Sequence, residues 1–151
     1  MSPTPRRRIP LPPASANDEP GRARRLLAIL SRWPATIAVA AAIFALSSIP
    51  QPQLPAVPLF PHADKLAHAI EYFALGFCLY RSLRHTLYKR PALPAIIAPI
   101  AGALYGGLDE YHQSFSGRTP DLLDLAADVA GLLIAIAVVS LISRRRQNNA
   151  R

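Results

Sequence analysis

One cysteine, nine acids against seventeen bases, and two apolar runs with no charge in them: each shortage in this 151-residue sequence removes a class of protein. The single thiol, Cys78, cannot close an internal disulfide, so the fold draws nothing from an oxidising compartment, and its place inside an apolar run makes it a packing residue. No Gly-x-Ser-x-Gly elbow and no His-Glu-x-x-His pair occurs. The Lys, Arg-Pro, Pro-Ser-Gly-His and distal His-Asp series of lipid phosphatases is also missing. Aromatic residues make up 7% of the chain and do not interleave with its basic groups, so a formal charge of +8 does not imply a nucleic-acid partner.

What the sequence has in quantity is apolar surface, at 51% hydrophobic residues. Four segments, Trp33 to Ile49, Leu66 to Leu83, Pro91 to Leu108 and Leu122 to Ile142, approach the roughly 20 residues that cross a hydrocarbon core about 30 Å thick. The expectation is an all-α, polytopic membrane protein with four transmembrane helices. Residues 1–31 read as a disordered basic and Pro-rich tail, 32–143 as the membrane domain and 144–151 as a second basic tail. A cleaved signal peptide is the competing reading of the first span. The long tail before it and the length of its apolar run favour a retained anchor.

Basic residues give the direction. Seven arginines precede the first span, Arg81, Arg84, Lys89 and Arg90 join the second to the third, and four arginines follow the fourth, which leaves Lys65 and Arg118 on the other side. By the positive-inside rule both termini and the middle loop are cytoplasmic. The acids Asp64, Glu71, Asp109, Glu110, Asp121, Asp124 and Asp128 fall at the outer ends of spans.

At about 100° per residue, Asp64, His68, Glu71 and Tyr72 share one helix face. Asp121, Asp124, Asp128 and Gly131 share another, and Tyr105 and Asp109 lie four apart. At about 1.5 Å rise per residue, Asp128 sits roughly 10 Å beyond Asp121, deep enough that these stripes should face each other rather than lipid. Gly102 and Gly106, four apart, allow close helix approach. Asp121 also suits a helix cap, Asp128 an ion pair with Lys65 or Arg118, and His62 and His112 ordinary loop positions. Seven carboxylates against two bases could be relieved by shared protons, raised pKa values or a bound divalent cation. The spacing in "DLLDLAAD" is similar to that by which some prenyl-diphosphate enzymes hold magnesium, though Asp-x-x-Asp is common on helices. Arg118, in a Gly-containing turn, is suited to an anionic group.

The stretches "FALSSIPQ", "DKLAHAIEYFALGF" and "LYGGLDEYHQSFSGRTPDLLDLAADVAGLL" together resemble the VanZ-like family of small bacterial membrane proteins, over roughly residues 43 to 140. The resemblance rests on Asp64-Lys65 with His68 and Tyr72, on Asp109-Glu110 with Gln113, Phe115, Gly117 and Arg118, and on Asp124, Asp128 and Gly131. It implies a helical integral protein of the bacterial cytoplasmic membrane, in a family named for a member linked to teicoplanin resistance, and it supplies no reaction. The expected ligand-binding set is therefore Asp64, Lys65, His68, Tyr72, Asp109, Glu110, Gln113, Arg118, Asp124 and Asp128, facing a lipid or lipid-linked envelope precursor. A membrane-embedded enzyme acting on a lipid phosphate or glycosyl group, a small transporter, and an ion-paired scaffold are the alternatives.

Overall fold

The computed structural model describes residues 19–50 and 61–149, all of whose regular structure is helical. The chain forms α1 (Glu19–Leu30), α2 (Pro34–Ser47), α3 (Ala63–Thr86), α4 (Leu93–Gln113) with a 3₁₀ turn at Ser114–Ser116, and α5 (Leu122–Asn149). The tail before residue 19 and residues 51–60 of the Pro-rich connection lie outside the described residues.

α1 occupies part of the stretch read as a tail. Its run "RARRLLAIL" is made of strong helix formers, and Leu26, Leu27 and Leu30 project outward from it. A turn at Ser31 to Trp33 separates it from α2, which opens on Pro34, where a missing N–H costs nothing because no helical acceptor precedes it. Two stretches, Leu26–Ser47 and Leu122–Arg146, are long and apolar enough to cross a membrane. α3 has 24 residues and α4 has 21, which at about 1.5 Å per residue reaches a hydrocarbon thickness, but acids, bases and prolines dilute their hydropathy.

α3 is the central element and makes its widest contact with α5. The two run parallel, as shown by the pairs Lys65 with Asp124, His68 with Asp128, Tyr80 with Ser140 and Arg84 with Ser143. Glycine sets their separation. A Cβ at Gly131 would collide with the Ala69 carbonyl oxygen, and one at Gly76 would come within 3.1 Å of the Leu132 Cα. α4 returns antiparallel against α5, where a Cβ on Gly102 would meet the Leu132 side chain at 2.5 Å and one on Gly106 would meet Asp128 Oδ2 at 2.9 Å. The close approach expected of the Gly102 and Gly106 pair is therefore made, against α5.

α2 is fastened by hydrogen bonds. Thr36 donates to Ser82 at 3.0 Å, Ser82 to the Arg32 carbonyl at 2.8 Å, the Trp33 indole to Thr86 at 3.2 Å, and Tyr105 to the Ala40 carbonyl at 2.7 Å. Ile43, Leu75, Leu79, Leu132, Ala135, Ile136 and Val139 fill the interior. Ile37, Phe44, Ile70, Ile100, Leu104, Leu108, Leu133, Ile134 and Leu141 point out from the bundle. An apolar coat around a partly polar interior is the reverse of a water-soluble bundle.

Replacing Gly131 by Ala presses a methyl group onto backbone that cannot rotate aside, so we expect a loss of about 1–3 kcal/mol, lowered further if the helices separate. Gly107→Ala meets nothing within 4 Å and should hold or raise stability, by up to about 1 kcal/mol from helix propensity. Paired thermal melts in detergent check the contrast. Equal melting temperatures for the two variants would contradict the close crossing.

Candidate functional site

Because α3 and α5 are parallel, their N-termini lie together, and the carboxylates in their first turns sit at the positive ends of two helix dipoles. Between them stands Lys65. Its ammonium is 3.0 Å from Asp64, 2.6 Å from Asp121 and 2.6 Å from Asp124. Asp121 also caps α5, its Oδ1 accepting the Leu123 N–H at 2.9 Å, so the capping and ion-pair roles coexist in one residue. Hydrogen bonding and charge from Lys65 hold the Asp64 and Asp121 carboxyls below their ordinary range. Partial burial works against the Lys65 charge, but hydrogen bonds to Asp121, Asp124 and Asp64 prevail and hold its pKa above the usual value.

One turn further in, the His68 Nδ1 lies 3.0 Å from Asp128 Oδ1 and the Nε2 lies 3.9 Å from Asp124 Oδ2. The ion pair of Asp128 with Lys65 or Arg118, the alternative to a ligand-binding role, is not made. Lys65 is held by acids nearer the helix ends, and imidazole is the base within reach of Asp128.

α4 contributes from the opposite direction. Its last turns place Asp109, Glu110 and Gln113 inside, at the unfavourable, negative end of a helix dipole. Local donors compensate in part. Asp109 accepts from Ser47 at 2.5 Å and from Gln113 at 3.0 Å, while Glu110 accepts the Asp121 backbone N–H at 2.8 Å. Tyr72, fully buried, lies beneath, and its hydroxyl has no partner among the described residues. Asp128 Oδ2 is likewise buried and unpartnered there. Asp124 Oδ1 makes no well-aligned hydrogen bond, yet its 2.6 Å ion pair with Lys65 satisfies it. His68, Glu110 and Asp128 each offer one ligand atom within 4.8 Å of the others, which makes them the group among the described residues able to share a cation. Asp121 and Asp124, the Asp-x-x-Asp pair compared above with magnesium sites, are instead turned to Lys65.

Beside this network is a cavity of about 240 Å³ with Leu46 and Ile49 on its apolar side and Ser47, His68, Glu71 and Arg118 on its polar side. Arg118 is half-buried, and its guanidinium makes no ion pair among the described residues. The ten residues expected at the site thus divide into Lys65 with Asp64 and Asp124, the His68–Glu110–Asp128 group, the Asp109–Gln113 pair, Tyr72 below and Arg118 at the rim, and Asp121 joins the first group as a fourth member from outside the expected set.

The motif-bearing turns and the helices that carry them are matched as a whole by one family, VanZ/LLP1, over residues 15–143. The chain belongs to the VanZ/LLP1 family. No curated protein and no solved structure matches it. The family match starts well before residue 43, so the region of likeness includes α1 and not only the motif-bearing stretch.

Three participants of this VanZ/LLP1 chain, Asp121, Ser47 and Glu71, escaped the site set read from sequence, Asp121 having been read there as a helix cap. Ser47 closes an uncharged run and shows its role only when α2 packs on α4; the paired serines of "ALSSIP" are its one sequence signal. Glu71 lies on the expected α3 stripe and lines the cavity. His112 is more than a loop residue, since its ring stacks on Phe44 at 4.4 Å and Nε2 lies 3.0 Å from the Ser48 hydroxyl.

The Lys65 network predicts an acid-sensitive stability. Asp64 and Asp121 have depressed folded pKa values, so their contribution is present above the ordinary carboxylate pKa of about 4 and is lost as pH falls through the lower, folded values. Lys65→Met should therefore lower the melting temperature at pH 7, and the gap from wild type should narrow from about pH 4 downward. A gap that is constant between pH 7 and pH 3 would show that the ammonium does not stabilise these carboxylates.

Proposed function

We propose that this VanZ/LLP1 protein is a multi-pass protein of the bacterial cytoplasmic membrane whose outward-facing pocket binds the polar head of a lipid or lipid-linked envelope molecule. In this reading the four spans are Trp33 to Ile49, Leu66 to Leu83, Pro91 to Leu108 and Leu122 to Ile142, carried by α2 to α5 with Asp64, Lys65 and Asp121 outside them, and both termini lie in the cytoplasm, on the side of the basic clusters. The apolar coat supports the membrane placement. The confinement of described carboxylates Asp64 to Asp128 to one end of the helices, with Arg81, Arg84 and Arg144 to Arg146 at the other, supports the direction.

The observation that carries the ligand reading is Arg118. A half-buried guanidinium beside a cavity, in no ion pair among the described residues, is a ready donor fork for a phosphate or carboxylate. Leu46 and Ile49 offer an apolar wall to the start of an acyl or polyprenyl chain, and Ser47, Gln113 and Glu71 offer hydrogen bonds to hydroxyls. One arrangement favours a second reading, a membrane-embedded hydrolase or transferase: His68, oriented by Asp128 at 3.0 Å, is built like a general base held by a carboxylate. Turnover of lipid-diphosphate substrates would support it over simple binding.

Arg118→Ala should fold as wild type does, since no described ion pair is lost, and should lose at least about tenfold in retention of an anionic lipid that co-purifies with wild type in mild detergent. Lipid mass spectrometry on the two proteins reads this directly. An unchanged lipid profile in folded Arg118→Ala would sink the pocket reading. Orientation has its own test. Cysteines placed singly at Ser2 and Ser116 in a Cys78→Ser background should differ in labelling by an impermeant thiol reagent applied outside intact cells, with only position 116 reacting.

A further inference from the structure

The carboxylates of the inner cluster are not balanced by the bases around them. Lys65 is taken up by Asp64, Asp121 and Asp124. That leaves Asp109, Glu110 and Asp128, all buried, with His68 as the one basic side chain among the described residues bonded to any of them. Asp109 is served by two side-chain donors. Glu110 sits at the negative end of α4, and Asp128 lies two turns into α5, beyond the useful range of its N-terminal dipole. The decisive observation is Asp128 Oδ2, in a side chain with no exposed surface and no partner among the described residues. A buried carboxylate oxygen left without a donor is costly, and Gly106 keeps the space in which it sits open, since a Cβ there would approach it to 2.9 Å.

We propose that His68, Glu110 and Asp128 bind one divalent first-row transition cation of the manganese or zinc type. Three helices each deliver one ligand to this point, and their donor atoms already lie within 4.8 Å of one another. The cation supplies the positive charge that the cluster lacks and occupies the free Asp128 oxygen. One imidazole with two carboxylates suits manganese or zinc better than magnesium or calcium, which favour all-oxygen shells. Three protein ligands leave coordination positions open toward the Arg118 cavity, where a ligand oxygen can enter. The inference deepens the pocket described above without resting on its lipid occupant.

The test uses the metal ion alone, on full-length protein stripped with chelator in detergent without added lipid, by titration calorimetry with Mn²⁺ and Zn²⁺ and by the visible bands of bound Co²⁺. Wild type should take up one ion per chain, with a raised melting temperature. Glu110→Gln and Asp128→Asn should each weaken binding by at least about tenfold, and His68→Ala should alter the Co²⁺ spectrum. Glu19→Gln, which removes a carboxylate at the start of α1, should bind as wild type does. If Asp128→Asn fails to fold, Glu110→Gln decides. Absence of saturable binding at one ion per chain overturns the proposal, as does full affinity in folded Glu110→Gln or equal weakening in Glu19→Gln. Loss of lipid retention in Arg118→Ala with metal binding intact leaves the two readings separately judged.

Discussion

The crossing of α3 and α5 at Gly131 is the constraint on which the rest of the molecule depends. With no side chain at Gly131, α5 lies directly against the Ala69 carbonyl, and that contact sets the register of two parallel helices. One turn toward their N-termini the same register brings His68 to Asp128, and a further turn brings Lys65 to Asp124 and Asp121. Toward the other end it brings Tyr80 to Ser140 and Arg84 to Ser143. A slip of one residue would rotate every one of these partners by about 100° and leave charged groups facing apolar neighbours. Small residues at the crossing and polar pairs above and below it therefore specify the same register.

Parallel packing has an electrostatic consequence that an antiparallel pair lacks. Two positive dipole ends are placed side by side, which makes Asp64, Asp121 and Asp124 favourable where they stand. α4 arrives from the other direction and must bury Asp109 and Glu110 at a negative end. Donors from three separate elements, Ser47 of α2, Gln113 of α4 and the Asp121 backbone at the start of α5, are gathered around them. Such an arrangement stabilises little by itself, because the desolvation of each carboxylate offsets most of what its partners contribute. A fold that needed only to hold four helices together could do so with Leu and Gly. The carboxylates are better explained by what they face.

How far the sequence carried the reading varies from element to element. The α3 and α5 stripes were legible because helical periodicity places Asp64, His68 and Tyr72, or Asp124, Asp128 and Gly131, on one face whatever the helix packs against. Helices of membrane-spanning length in α3, α4 and α5, and the close approach of α4 at Gly102 and Gly106, were legible for similarly local reasons. α1 was not, since Arg-rich and Pro-rich composition around it obscured a short run of strong helix formers. Ser47 was missed because a serine at the end of an apolar helix has no sequence mark that distinguishes a cap from a donor to a carboxylate 62 residues away.

The sequence by itself determined the α3 and α5 stripes, the spacing of their acids and the segregation of basic residues away from them, because these follow from the 3.6-residue period and from the order of charges along the chain. Only the tertiary structure decided partnership. That Lys65 takes Asp121 and Asp124, that His68 takes Asp128, and that Asp128 Oδ2 and the Tyr72 hydroxyl have no partner among the described residues, depends on which helix faces lie within hydrogen-bond distance. Those distances are set by steric contact at Gly131, Gly102 and Gly106, between residues far apart in the chain, and no local rule of sequence contains them.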